Sequence, residues 1–212
     1  MKQLTRIFLS SILAGGVITL GCVSNLMSGN KIAGSLFFTI GLFFICSFNW
    51  HLFTGRLPYS VTKSDWMSLP LIWVGNCIGS ILFGLLISFA KDSSGVVDTA
   101  KALIENKINT NLLEIFASAI CCNFLIYLAV EGYKTCNTDL GKHLSLIFGV
   151  SVFVLCGFEH CIADVGYAVV AKEPKMVLVV LVATAGNLVG GRLIAGIHNL
   201  VKYRRIVTTK SI

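Results

Sequence analysis

Six apolar segments of membrane-spanning length decide what this chain can fold into. They extend over about residues 7–27, 32–50, 69–90, 112–130, 144–171 and 176–201. A bilayer core about 30 Å thick is crossed by about 20 apolar residues in a helix, and lipid offers no partners to open backbone groups. With 55% hydrophobic and 13% charged residues, the sequence predicts an all-α integral membrane protein with six transmembrane helices, in a single transmembrane domain over residues 1–212.

Basic residues lie at the ends of the predicted helices and in the short loops. The net charge of +7 is therefore explained by membrane topology, because basic residues favour cytoplasmic loops, and nucleic-acid binding is not predicted. An even number of spans puts both termini on one side, which would carry Lys2, Arg6, Arg56, Lys63, Lys134, Lys142, Lys202, Arg204, Arg205 and Lys210. The other side would carry Lys31, Lys91, Lys101, Lys107, Lys172 and Lys175. This bias predicts cytoplasmic termini.

Two sequence features recur between the halves of the chain, about residues 1–100 and 101–212. Gly75-Asn76 with Gly79 in the third span matches Gly186-Asn187 with Gly190 in the sixth, at one constant offset for all three residues. Polar interruptions occur at residues 51–55 and 157–160, at nearly the same offset. Three spans per half predict inverted three-helix repeats with the second and fifth helices broken, a pattern that points to a substrate path at the membrane midplane.

Proline positions help to place two helix starts. Proline is tolerated in the first turn of a helix, so Pro70 and Pro174 predict the beginnings of the third and sixth helices. The basic connection between the third and fourth spans is long enough to fold partly back into the protein.

His160 is the leading candidate for a functional residue, because it follows the interruption at Gly157 inside an apolar run. Ionisable residues at membrane depth are costly and usually face a bundle interior or a cavity. A neutral imidazole could donate a hydrogen bond to a passing anion, or simply bond a backbone carbonyl in a packed bundle. Glu159 and Asp164 could relay protons, but salt-bridge or helix-cap roles are favoured.

Other polar residues have both functional and structural interpretations. Thr54 places a hydroxyl at the first interruption, where it could also be a cap. Asn123 could fix a loop or join helices. Lys107 could concentrate anions at a low-dielectric vestibule or be a solvated lysine. Arg192 has no obvious partner in the sequence.

The remaining candidates are apolar residues, breaks and close contacts. Constriction or packing roles are predicted for Phe38, Leu42, Phe53 and Phe153. Helix-break or packing roles are predicted for Gly55, Gly157, Asn76 and Asn187, the two asparagines chiefly by satisfying loop backbone groups. The cysteines mostly lie in apolar runs, as buried thiols do, and no cofactor or metal is predicted.

Taken in order, these motifs resemble the formate/nitrite transporter family. The matching stretches are His51-Leu52-Phe53-Thr54-Gly55, Gly75-Asn76-Cys77-Ile78-Gly79, Lys107-Ile108-Asn109, Cys122-Asn123, Gly157-Phe158-Glu159-His160 and Gly186-Asn187-Leu188-Val189-Gly190-Gly191. The resemblance implies an aquaporin-like fold and a homopentamer in a bacterial inner membrane, with one pore per protomer for small monovalent anions.

The resemblance also implies roles for individual residues. Thr54 and His160 would be the paired central polar groups, with Asn123 as their hydrogen-bonding partner and Lys107 as the nearby cation. Leu42 with Phe38 would form one constriction, and Phe53 with Phe153 the hydrophobic walls.

Two departures bear on the transported ion. His51 stands where many members have glutamate, and the loop that follows is Arg56-Leu57-Pro58-Tyr59 rather than an asparagine-led sequence. The chain therefore looks most like the hydrosulfide-channel branch, with formate or nitrite as further cargo. The alternative is a formate or nitrite transporter that moves the weak acid together with a proton.

Rival functions lack their own signatures. A water or glycerol pore should carry two Asn-Pro-Ala motifs, and none occurs. A membrane enzyme would need His160 with Glu159 and Asp164 as a metal or acid/base site, but the other histidines, His51, His143 and His198, are scattered. An enzyme is therefore not predicted.

Overall fold

The structure, a computed structural model, describes residues 3–90 and 93–209, with the side chains of Ser93 and of residues 203–209 left aside. These residues contain helices and no strand. The helices are α1 (Gln3–Met27), α2 (Lys31–Phe38), α3 (Ile40–Ser47), α4 (Phe53–Arg56), α5 (Lys63–Ser88), α6 (Ser93–Asn109), α7 (Leu112–Thr135), α8 (Asp139–Leu155), α9 (Cys161–Ala171) and α10 (Val177–Thr209). Short 3₁₀ turns, Leu57–Tyr59 and Pro174–Met176, follow α4 and precede α10.

Four stretches in the described ranges are long and apolar enough to cross a membrane. They are Gln3–Met27, Lys63–Ser88, Leu112–Thr135 and Pro174–Lys202. The second and fifth predicted spans are instead divided into shorter helices, α2 to α4 and α8 with α9. Many large apolar side chains face outward, including Leu86 and Leu181, as expected of a multi-pass membrane protein.

The two interruptions share one backbone conformation at equivalent positions of the two halves. Asn49 and Gly157 both have positive φ, 53° and 71°. The next residue donates backward in the same way, from Trp50 N to Ile45 O and from Phe158 N to Phe153 O, both at 2.9 Å. A positive φ ends a helix with little cost at glycine and is tolerated by asparagine, which explains why these two residues stand here.

Two buried asparagines hold the polypeptide just after each interruption. Asn76 Oδ1 accepts from Phe53 N at 2.8 Å, while its Nδ2 donates to Ser11 O and His51 O at 2.8 and 2.9 Å. Asn187 makes the same three bonds in the second half, with Cys161 N at 3.0 Å and with Ala119 O and Glu159 O at 2.8 and 2.9 Å. Each amide thus replaces helix hydrogen bonds that the break removes.

Glycines bring the long helices of each half into contact. A Cβ built on Gly79 would collide with the carbonyl of Ile12 on α1, and one built on Gly190 with the carbonyl of Ile120 on α7. Small residues allow such close backbone approach in membrane proteins. Gly79 and Gly190, which repeat between the halves of the sequence, are therefore positions of close helix contact.

The halves interlock at their broken helices. Helix α9 packs against α5 and α1 of the first half, whereas α4 packs against α7 and α10 of the second. Helix α6 folds back against α9, and the predicted boundary between the halves, at residues 100 and 101, falls inside it. The centre of the molecule is consequently built from residues of both halves.

Two details differ from the sequence predictions. Pro70 lies inside α5, and the helix begins at Lys63, because the Thr62 side chain and the Asp65 side chain form a capping box there. Pro174 does begin the 3₁₀ turn that leads into α10. The predicted orientation rests partly on Lys2, Lys91 and Lys210, which lie outside the described residues.

Candidate functional site

His160 and Thr54 meet at the centre of the protein, where the two halves interlock. His160 precedes α9, and its Nδ1 accepts a hydrogen bond from Ala163 N at 3.0 Å. Its Nε2 lies 2.9 Å from Thr54 Oγ1, and the two residues are 2% and 0% exposed. Because Nδ1 is an acceptor, the neutral ring carries its proton on Nε2 and donates to Thr54. The Thr54 hydroxyl proton is then available to a further acceptor.

Two aromatic rings cover His160 on one side. Phe153 stacks on the imidazole at 5.8 Å and 17°, and Phe38 meets Phe153 edge-on at 5.7 Å. Both rings are almost fully buried. A small solute reaching His160 from this side would therefore meet two apolar rings beside the imidazole.

The cavity on that side, the Lys107 vestibule, has a volume of about 250 Å³ and is lined by Phe38, Phe153, His160, Lys107 and both nearby acids. Lys107 Nζ is ion-paired with Glu159 and, at 2.9 Å, with Asp164. Burial by itself lowers the pKa of Lys107, but the Asp164 and Glu159 carboxylates outweigh burial and raise this pKa above its ordinary value. The lysine is charged, but two carboxylates face it.

This arrangement corrects the expectation that Lys107 makes its vestibule positive. One ammonium group is engaged by Glu159 and Asp164, so it offers no unpaired charge to an anion. The salt-bridge role favoured for the two acids is the one the geometry displays. The backbone N–H of Glu159 is in turn held by Ser118 Oγ at 3.1 Å.

A second cavity, the Arg56 vestibule, shares no lining residue with the Lys107 vestibule and is bordered by Leu52 and Gly55, which flank Thr54 in the chain. Its volume is about 180 Å³, and its lining includes Leu42, Leu52, Gly55, Arg56 and Lys134. Leu52 follows Asn49 at the same spacing as His160 follows Gly157, so Leu52 and His160 occupy equivalent places in the two halves. Sequence reasoning missed Leu52, Arg56 and Lys134 as cavity-lining residues, although the Arg56 departure had been visible.

Leu42 and Phe53 lie apart from the partners with which the sequence resemblance paired them in constrictions. Leu42 lines the Arg56 vestibule and is 3% exposed. Phe53 borders an apolar depression together with Trp66 and Leu188, so it is not among the lining residues of either vestibule. Leu52, rather than Phe53, is therefore the apolar residue of this stretch that lines the Arg56 vestibule.

Gly55 and Asn123 also differ from expectation. Gly55 lies inside α4, and a Cβ there would meet only Leu52 Cβ, at 3.9 Å, so it marks neither a break nor a close helix contact. Asn123 is fully buried, but neither atom of its amide has a hydrogen-bond partner among the described residues. The predicted bond from Asn123 to the central pair is not formed in this structure.

Arg192, which the sequence left unassigned, stabilises the turn after α4. Its Nη1 donates to the carbonyls of Leu57, Pro58 and Ser60 at 3.4, 3.1 and 2.9 Å. Pairing with backbone carbonyls satisfies a charged residue at membrane depth. A search for acidic partners could not have found this role. In the described ranges, His, Cys, Asp and Glu form no group that could hold a metal ion.

Comparisons with known proteins identify relatives of the whole fold. A family model described as "Formate/nitrite transporter" matches residues 1–201. The formate channel FocA of Haemophilus influenzae is 26% identical over 182 residues, which cover 74% of this chain and 63% of that protein. The nitrite transporter NirC of Escherichia coli is 27% identical over 176 residues, covering 74% and 65%. The chain thus spans slightly less than two thirds of these relatives, which are channels and transporters rather than enzymes.

A solved structure has the same fold over nearly its full length. The "Pentameric formate channel with formate bound" superposes with a TM-score of 0.83 at 24% identity, covering 94% of this chain and 97% of that one.

Proposed function

This chain belongs to the formate/nitrite transporter family, and we propose that it forms a membrane channel for small monovalent anions, chiefly hydrosulfide, with formate or nitrite as further cargo. The observation that carries the proposal is the buried pair of Thr54 and His160, joined at 2.9 Å. His160 lines the Lys107 vestibule, and Leu52 and Gly55, which flank Thr54 in the chain, line the Arg56 vestibule. Hydrosulfide is favoured over formate because of the departures at His51 and Arg56.

The central pair would compensate an anion for the water it loses. A bare ion in an apolar constriction faces a penalty of several kcal/mol. The hydroxyl proton of Thr54 is a free donor, and the Nε2–H of His160 would exchange its bond to Thr54 for a bond to the ion. Hydrogen bonds to charged groups are the stronger ones. The rings of Phe38 and Phe153 would limit passage to small ions, with Leu42 and Leu52 forming the apolar wall on the other side.

His160 is proposed to act as a hydrogen-bond donor rather than as a source of positive charge. Its Nδ1 already accepts from Ala163 N. A second proton on Nδ1 would place two N–H groups against each other and end this contact. The neutral ring therefore suits both the helix start and the central site.

The alternative, transport of the weak acid with a proton, has one observation in its favour. Asp164 Oδ2 is buried and has no hydrogen-bond partner among the described residues, next to the ammonium of Lys107. A proton could be held there on its way to a permeating anion. Flux that depends on the proton gradient, and is lost in Asp164→Asn, would favour this alternative.

The finer architecture is proposed in the same terms. The divided segments α2 to α4 and α8 with α9 would be the second and fifth of six transmembrane helices, in two inverted repeats. The protein would assemble as a homopentamer with one pore per protomer, in a bacterial inner membrane with cytoplasmic termini. The pentameric assembly of a channel with this fold supports the stoichiometry, and the outward-facing leucines suit lipid and subunit contacts.

The test is anion flux into proteoliposomes containing the purified protein. Hydrosulfide, formate and nitrite are compared over a range of pH, with His160→Ala and Lys107→Ala measured alongside. We expect flux of at least one of these anions, and a large loss in His160→Ala. Absence of flux for all three in the parent protein would exclude the channel, whereas unchanged flux in His160→Ala would exclude the central donor.

A further inference from the structure

The two vestibules are equivalent in the repeat but opposite in charge. Asn49 corresponds to Gly157, Leu52 to His160 and Arg56 to Asp164, all at one constant offset along the chain, and these residues line the two cavities in the same order. At the third of these pairs, the first half carries the cation Arg56 and the second half carries the anion Asp164. Because the two interruptions share one backbone conformation, the difference in charge arises from the side chains alone.

The charges around each cavity can be compared directly. The Lys107 vestibule contains one ammonium group and the two carboxylates that bind it. The Arg56 vestibule is lined by Arg56 and Lys134, and neither makes an ion pair with any described carboxylate. The acids near them are Glu131, which accepts a hydrogen bond from Tyr59 at 2.8 Å, and Asp65, whose carboxylate caps α5. Neither acid lines the cavity. The Arg56 vestibule therefore has the excess of positive charge.

We propose that Arg56 and Lys134 form an anion-binding site that loads the pore from the Arg56 vestibule. The site would take small monovalent anions, and it rests on the proposed function in that these are the permeating ions. Its location is the mouth opposite Lys107, so capture of anions would be stronger from this side of the membrane than from the other.

The side chains of the site are held in place without being neutralised. Arg56 Nη2 donates to Asn49 Oδ1 at 3.3 Å, which leaves most of the five guanidinium N–H groups for a ligand. Lys134 Nζ lies 3.2 Å above the centre of the Tyr59 ring, a contact that orients the ammonium group and keeps its charge. The two cations are thus positioned on one cavity by neutral partners.

The walls of the cavity strengthen this effect. Leu42, Ile45 and Val130 line it together with the two cations. Clefts with low-dielectric walls and charges of one sign concentrate counter-ions and raise association rates by about 10- to 1000-fold. An anion held here would be close to Leu52 and Gly55, and from there to the hydroxyl of Thr54.

The proposal is tested first by the concentration dependence of flux. Formate influx is measured for the parent protein, for Arg56→Gln with Lys134→Gln, and for Lys142→Gln. The last variant is the matched control, because Lys142 is exposed and paired with Asp139 and does not line the vestibule. At about 0.01 M ionic strength, where the Debye length is about 30 Å, we expect the double variant to need about tenfold more formate for half-maximal flux.

Salt provides the second comparison. At about 1 M ionic strength the Debye length is about 3 Å, and the difference between the double variant and the parent should become small. Arg56→Lys should retain more low-salt flux than Arg56→Gln, because it keeps the charge. A double variant that behaves like Lys142→Gln at low salt would overturn the proposal.

A binding measurement keeps the site testable even if the parent protein conducts no formate. Trp50 lines the Arg56 vestibule, and iodide, a monovalent anion, quenches tryptophan fluorescence on contact. With Trp66→Phe and Trp73→Phe as background, iodide should quench Trp50 several-fold less well when Arg56 and Lys134 are replaced by glutamine. Equal quenching would refute the anion site, whereas absence of hydrosulfide, formate and nitrite flux in the parent protein would refute only the proposed function.

Discussion

The sharpest prediction separates the two nitrogens of His160. Nδ1 accepts from Ala163 N and caps α9, whereas Nε2 donates towards Thr54. Asparagine is a strong N-cap residue because its side-chain oxygen can accept the same backbone bond. His160→Asn should therefore preserve the helix start while drawing the donor back from Thr54, because the asparagine Nδ2–H2 group is on a shorter side chain than the imidazole Nε2–H. His160→Ala removes both.

The expected losses of stability and of flux follow from the two hydrogen bonds of His160. Loss of an N-cap bond costs about 1 kcal/mol, so His160→Ala should unfold at a lower temperature than His160→Asn. A hydrogen bond to a charged group contributes about 1.5–3 kcal/mol. If His160 donates such a hydrogen bond to the anion at the step that limits flux, loss of this bond slows permeation about 10- to 150-fold, since each 1.36 kcal/mol is a factor of ten in rate.

The assay is stopped-flow formate uptake by proteoliposomes, together with thermal unfolding of the same preparations. Asparagine is smaller than histidine, so His160→Asn widens the constriction and a fall in flux cannot come from blockage. Flux within threefold of the parent in His160→Ala, which has no side-chain donor at this position, would refute the donor role. A loss of stability in His160→Asn as large as that in His160→Ala would refute the capping assignment and the tautomer inferred from it.

Three further predictions concern the scaffold. Asn187→Ala removes the amide that bonds three buried backbone groups, and each lost bond costs about 1–3 kcal/mol. We therefore expect a large fall in the unfolding temperature, and a fall of less than about 2 °C would contradict this role of Asn187. Gly190→Ala forces α10 away from α7 and should cost at least about 1–3 kcal/mol by overpacking, whereas Gly196→Ala, on the same helix with nothing within 4 Å of its Cβ, should be neutral in the same melts. Because the pKa of Lys107 is raised, its stabilisation is complete below the unfolded value of about 10.4 and is lost only as pH rises through the folded value. The advantage of the parent over Lys107→Gln in melting temperature should therefore not decline from about pH 6 to 9, and a decline within that range would disprove the paired cation.

Helical segments and the internal repeat were accessible from the sequence because they depend on local properties. The length of an apolar segment indicates that it can span the bilayer. Glycines that repeat between the halves indicate close helix contact, whatever the angle at which the helices pack. The asparagines were identified as backbone partners because an amide in an apolar helix must find partners. The start of the third helix was misplaced because the capping box at Thr62 and Asp65 determines it, not Pro70.

The sequence by itself predicted an all-helical chain in two matching halves, with interruptions at residues 51–55 and 157–160 and with His160 as the leading functional candidate. Only the tertiary structure decided which charges are neutralised, because ion pairs such as Lys107 with Asp164 join residues on different helices that are far apart in sequence. The same is true of Arg192, whose partners are backbone carbonyls that carry no signature in the sequence. Charge at a site depends on which helix faces which, and this is a property of packing that no single segment contains.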